Sequence, residues 1–203
     1  MNRPLYVFTL VFTLTAVSVN AFGQTIGALY DQLLQSEETN SAAPQIFQIA
    51  KNDAAARDYL AGRLPSLISS NRSERDPVWA NAVRLAGQLK IATAVPALAQ
   101  ALSRPAVPGG YDSTATGAST FTITAKLVYD VVGRALADIG DPSIPVLTTI
   151  LSNGDFAARR RVAWILVNIN SPIARQAMND RLQIETDPAI RQILKANLEP
   201  APK

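Results

Sequence analysis

Apolar residues recur along this chain with a helical period, and from residue 125 onward the recurrence itself repeats. Val132, Leu136 and Ile139 are matched thirty positions later by Val162, Leu166 and Ile169, and a turn containing Pro142 is echoed by one containing Pro172. A fixed period near thirty, with helical spacing on both sides of a Pro turn, marks a solenoid of stacked helix pairs. Nearer the N-terminus, Ile26, Leu29, Tyr30, Leu33 and Leu34 fall at i, i+3, i+4, i+7 and i+8, one face of an amphipathic helix. The pattern predicts an all-α solenoid, a superhelix of about five helix pairs over 43–199, with an N-terminal capping helix over 24–42.

Two short signatures punctuate the helices. An Asp four positions before an Arg opens a helix at Asp53/Arg57, Asp155/Arg159 and Asp187/Arg191. The Asp oxygen accepts from N–H groups that have no intrahelical partner, and its charge suits the positive end of the helix. The second signature is an apolar residue before Pro with Leu two positions later, at Leu64/Pro65/Leu67, Val95/Pro96/Leu98 and Ile144/Pro145/Leu147. It is expected to open the partner helix, where the N–H that Pro lacks would be unpaired in any case. Ser41 reads as an N-cap, with Pro44 early in the turn it starts.

In these features the chain resembles HEAT-type repeats, in particular the short bacterial HEAT-like units of the phycobilisome-lyase type. The resemblance covers roughly 43–198 as about five units, closest over 125–198 and weakest before 75. It implies that Asp53, Arg57, Asp155, Arg159, Asp187 and Arg191 form a structural ladder linking neighbouring repeats, and that the second helix of each pair lines a concave face. The unit at Asp76 keeps the Asp but has Ala80 where Arg is expected. The unit around Val128 has Ala125 and Tyr129 in place of both, so the ladder is expected to break mid-stack. The lyase name brings no chromophore chemistry with it, because the repeat unit is far more widespread than that activity.

That break coincides with a non-repetitive stretch, 104–120, rich in Pro, Gly, Ser and Thr. No helix runs through such a composition, and a loop of that length is either a binding loop or an unstructured insertion. Tyr111 and Asp112 are its candidate contact residues. On the helices, a phase that turns Val128, Val131, Val132 and Ala135 inward turns Asp130, Arg134 and Asp138 outward. In the next repeat Val162, Ile165, Leu166 and Ile169 go inward, and Arg160 and Trp164 go outward. Arg84 holds the matching place one unit earlier. The candidate binding surface is therefore Arg84, Asp130, Arg134, Arg160 and Trp164. Trp and Arg are enriched at binding hot spots. The same Trp stacked on Arg134 or Arg160 would instead be packing between repeats. A helix sends Arg159, Arg160 and Arg161 in different directions, as one ladder residue, one surface residue and one flanking residue.

Composition removes most chemistry. The chain has no His and no Cys, so Ser-His-Asp and Cys-His nucleophile systems are excluded, as are zinc sites of the usual ligands. No phosphate-binding or dinucleotide glycine pattern and no calcium loop appears. The expectation is a protein that is not an enzyme and carries no cofactor or metal. A net charge of +3 gives no electrostatic case for nucleic acid. At the N-terminus Arg3 precedes an apolar run from Leu5 to Val19, and small residues follow at the right offsets for cleavage after Ala21 or Gly23. Residues 1–23 read as a cleaved export signal, with an apolar run shorter than the ~20 residues of a spanning helix; the alternative is a retained anchor. These features place the protein in the periplasm or outside the cell, with no stable membrane insertion after cleavage. The expected role is a scaffold that binds a protein or peptide on its concave face. The alternative is an enzyme, or an accessory subunit of one, with an unrecognised site.

Overall fold

The computed structural model describes residues 14–35, 42–70, 72, 75–102 and 130–198, with side chains of the first helix from Thr25 onward. Among the described residues there are ten α-helices and no strand. They are α1 (Leu14–Gln35), α2 (Ala42–Asn52), α3 (Ala54–Ser69), α4 (Pro77–Gln88), α5 (Val95–Leu102), α6 (Val131–Ile139), α7 (Ile144–Asn153), α8 (Phe156–Ile169), α9 (Pro172–Ile184) and α10 (Pro188–Leu198). Short 3-10 turns, Ala92–Ala94 and Asp141–Ser143, lead into α5 and α7. The odd-numbered helices pack on one another in sequence and form one layer. The even-numbered helices form the second, α2 on α4, α4 on α6, α6 on α8 and α8 on α10. The architecture is an α-solenoid of stacked helix pairs.

Local chemistry sets each helix boundary. Asp53 accepts from the N–H groups of Ala55 and Ala56 at 2.8 and 3.3 Å. Asp76 accepts from Val78 and Trp79 at 2.8 and 3.4 Å. Asp155 accepts from Ala158 at 2.8 Å, and Asp187 from Ala189 and Ile190 at 2.9 and 3.1 Å. A cap of this kind contributes about 1 kcal/mol. Helix ends repeat as well. Gly140 and Asn170, thirty positions apart, end α6 and α8 with φ of 83° and 49°. Gly and Asn are the residue types that tolerate this left-handed region.

Two sequence expectations are corrected here. Val95/Pro96 and Ile144/Pro145 do open α5 and α7, but Leu64/Pro65/Leu67 opens nothing, because Pro65 lies inside α3. Pro cannot donate to the carbonyl of Ala61, four residues back. That carbonyl accepts instead from the Thr93 hydroxyl at 2.9 Å, a partner from the next odd-layer connection. The ladder also does not lack an Asp in the fourth unit. Asp130 caps α6 through the Gly133 N–H at 2.7 Å. Ala125 and Tyr129 lie outside the described residues.

The core runs continuously through both layers and is built from Leu, Ile, Val and many Ala. Trp79, fully buried, donates its indole N–H to the Ile68 carbonyl at 2.9 Å. Small residues let even-layer helices come close: a Cβ on Gly87 would lie 2.7 Å from Ala135 Cα, so α4 and α6 touch backbone to backbone there. Between α1 and α3, Tyr30 and Tyr59 meet edge to face at 6.0 Å, and the Arg63 guanidinium lies 5.4 Å from the Tyr59 ring centre. Burial pushes the Tyr30 hydroxyl pKa up, against the opposing charge of Arg63. Helix α1 passes through both candidate cleavage positions. Among the described residues, no helix is long and apolar enough to cross a membrane.

Candidate functional site

The ladder residues do two jobs. Each Asp caps its own helix, and each Arg reaches a neighbouring element. Arg57 lies 3.5 Å from the Lys51 carbonyl at the end of α2. Arg191 donates to the Leu182 and Glu185 carbonyls at 3.1 and 2.8 Å, closing the end of α9. Arg159 pairs with Glu185, which precedes α10 and also takes Arg181 at 2.8 Å. The Glu185 carboxylate accepts the Thr186 and Asp187 N–H groups as well, at 3.0 and 2.9 Å. Burial alone would raise the Glu185 pKa. Hydrogen bonds from Arg159, the Asp187 N–H and Arg181 outweigh it and hold the group at about 2. In the same way burial raises and Arg72 lowers the Asp76 pKa, and with the Val78 and Trp79 N–H groups the net direction is down.

The expected outward stripe is not a stripe. Asp130 is buried at 5% exposure and Trp164 at 4%. Arg134 is exposed and holds Asp138, four residues on, at 3.0 Å. Arg84 is exposed and donates to Asn81 at 3.1 Å. Arg160 is half-buried, and neither its Nε nor the Trp164 Nε1 has an acceptor. Arg161, expected as a flanking residue, is the buried one of the three arginines, at 4% exposure. The physical reason lies in the packing of α8. It touches α6, α7, α9 and α10, so most of its circumference is covered and a one-sided phase misplaces its residues. Arg161 was missed, and a signal for it exists: it lies 31 positions after Asp130, close to the repeat period. Tyr111 and Asp112 lie outside the described residues.

Among the described residues, each layer carries a surface groove. Between α2 and α4 a groove of about 280 Å³ is lined by Phe47, Gln48, Asn81, Arg84 and Gln88 among others. Between α7 and α9 a groove of about 360 Å³ is lined by Thr148, Leu151, Ile173, Ala177, Asp180 and Ile184 among others. Ile173 and Ile184, 56% and 68% exposed, are among the few large apolar side chains left in water. They lie eleven residues apart, three helical turns, on the α9 face that looks along this groove. Asp180, between them, accepts from Gln176 at 2.7 Å. Among the described residues no group of acidic side chains is arranged to hold a metal ion.

A two-layer α-solenoid with Asp-capped helices belongs to the class of helical-repeat proteins. Residues 125–199 are similar to the family model described as HEAT repeats. HEAT repeats commonly contact other proteins. No curated protein matches the sequence. A crystal structure of an engineered protein aligns with 86% of this chain and 95% of its own at 19% identity, with a TM-score of 0.29.

Proposed function

We propose that the protein is a non-enzymatic scaffold, exported to the periplasm or the extracellular space, that binds an apolar segment of a partner protein. The observation that carries this reading is the groove between α7 and α9, with Ile173 and Ile184 standing exposed along three turns of one helix. Isolated exposed apolar residues are ordinary, but two on the rim of one groove with Leu151 and Ala177 in its floor form a patch. The segment that fits is about three helical turns long, apolar on one side, with a Lys or Arg to meet Asp180. The α2/α4 groove is smaller and its rim is polar, so it ranks second.

The reading is tested by crosslinking capture from the native envelope, comparing wild type with Ile173→Asp/Ile184→Asp. Both positions are exposed, so circular dichroism should not change. Loss of one specific protein supports the groove. Capture that survives this change but is lost with Arg84→Glu moves the site to the α2/α4 groove. The export half is tested separately, by the compartment in which the protein is recovered on cell fractionation and by its N-terminal residue: recovery in the cytoplasm refutes export, Phe22 or Gln24 supports a cleaved signal, and Met1 on an envelope-associated protein points to a retained anchor.

A further inference from the structure

The even layer carries two equivalent arginines, and the fold neutralises only one of them. Lys90, Gly140 and Asn170, each of positive φ, follow the ends of α4, α6 and α8 and mark equivalent points of the three helices. Six positions before them stand Arg84, Arg134 and Trp164. Trp164 is buried, whereas both arginines are exposed. Four positions after Arg134, α6 supplies Asp138, which takes it at 3.0 Å. The same place in α4 is Gln88, and Arg84 is left with the neutral Asn81 oxygen at 3.1 Å. Among the described residues, Arg84 has no carboxylate partner. It stands on the groove of about 280 Å³ between α2 and α4, none of whose described lining residues is acidic. Phe47 and Leu85 give this groove apolar surface. Gln48 on α2 and Gln88 on α4 stand exposed on its two walls, with no side-chain hydrogen bond among the described residues.

We propose that the α2/α4 groove binds an extended peptide segment bearing an acidic side chain, whose carboxylate pairs with Arg84 as Asp138 pairs with Arg134. Charge complementarity selects this occupant. A guanidinium–carboxylate hydrogen bond is roughly twice as strong as one to a neutral oxygen, so an incoming carboxylate displaces Asn81 from Arg84. The amides of Gln48 and Gln88 each donate and accept, which is what the N–H and C=O groups of an extended main chain require. An apolar residue next to the acidic one covers Phe47. The site lies in the other layer from the α7/α9 groove and stands whether or not that groove binds a partner.

The test is a titration of the full chain, labelled with nitrogen-15, with a short peptide capped at both ends and apolar except for one central Glu. The readout is the side-chain amide resonances of Gln48, Asn81 and Gln88. Saturable shifts are expected, with binding at least about tenfold weaker for the same peptide carrying Gln in place of Glu. Arg84→Gln should cost the same factor. Gln88→Asp should cost it too, because the fold then supplies its own carboxylate to Arg84, as α6 does to Arg134. Arg134→Gln should change the affinity less than about twofold, since solvent and salt screen that distant charge. All three positions are at least partly exposed, so circular dichroism should match wild type. Equal binding of the Glu and Gln peptides would overturn the proposal, as would the absence of saturable shifts. An equal loss with Arg134→Gln would also overturn it, since the peptide would then be responding to positive charge in general. So would equal binding of an acid-free peptide whose only carboxylate is its C-terminus, because the groove would then recognise a chain end. Ile173→Asp/Ile184→Asp should leave the titration unchanged, so that failure of one groove is read apart from failure of the other.

Discussion

At the scale of single residues, stability at low pH turns on a carboxylate that is almost fully buried. Glu185 is 2% exposed and carries two arginines and two main-chain N–H groups. Its pKa is about 2 in the fold against an ordinary value of 4.5. A lowered carboxylate pKa stabilises the fold fully above the unfolded value and loses that contribution as pH falls toward the folded one. The window is therefore pH 4.5 down to about 2, and the contribution at stake is roughly 3 kcal/mol. Thermal melts across that range should show wild type losing stability steeply. Glu185→Gln should be less stable at neutral pH and flatter below pH 4.5. A variant curve parallel to wild type would show that another carboxylate governs the acid transition. The ladder carboxylates at helix starts were legible in the sequence because an Asp before an apolar helical run has one obvious local use. Glu185 was not, because Arg159 comes from another helix, 26 positions earlier, and the local partner Arg181, four positions back in the helix that Glu185 ends, gives no hint of it.

At the scale of elements, what could be read depended on whether the causes were local. Capping Asp residues, the paired turns at Gly140 and Asn170, and the Pro-initiated helices α5 and α7 all follow from a few neighbouring positions. Pro65 misled because the donor that the Ala61 carbonyl lacks there is supplied by the Thr93 hydroxyl, far along the chain. Asp130 misled because a helix phased from Val128 puts it in mid-turn, whereas the helix begins at Val131. Trp164 misled because α8 is surrounded, with six consecutive residues from Arg161 to Leu166 all buried. The contact between α4 and α6 gives this scale its test. Replacing Gly87 by Ala adds about 1 kcal/mol of helix propensity. It also drives a methyl group into the backbone of Ala135, where neither partner is a flexible side-chain tip. Overpacking of this kind costs about 1–3 kcal/mol, and a main-chain neighbour puts it at the upper end. Chemical denaturation of Gly87→Ala should therefore show a net loss of about 1–2 kcal/mol. A gain in stability would mean that the two helices can separate freely.

At the scale of the whole molecule, the array is held by nearest neighbours. Helices α9 and α10 pack on α7, α8 and each other, and no core residue of the first layers is reached only through them. In such a quasi-one-dimensional stack, stability is close to a sum of unit terms and neighbour interfaces. This is why the repeat could be read from sequence in the C-terminal half, where each unit needs the same faces, and faded toward α1–α3, where one neighbour is missing. It also makes a definite claim about truncation. A chain ending after Asn170 loses α9, α10 and Glu185, and leaves Arg159 without its carboxylate. The remaining helices α1–α8 should keep their far-UV circular dichroism per residue and melt cooperatively at a lower temperature, because only one end interface has been removed. The acid sensitivity contributed by Glu185 should vanish from that shorter chain, while the part due to Asp76, whose pKa is also lowered, persists. Loss of the cooperative melt altogether would show that the helices share one indivisible core, and that the thirty-residue period describes the sequence without describing how the fold is held.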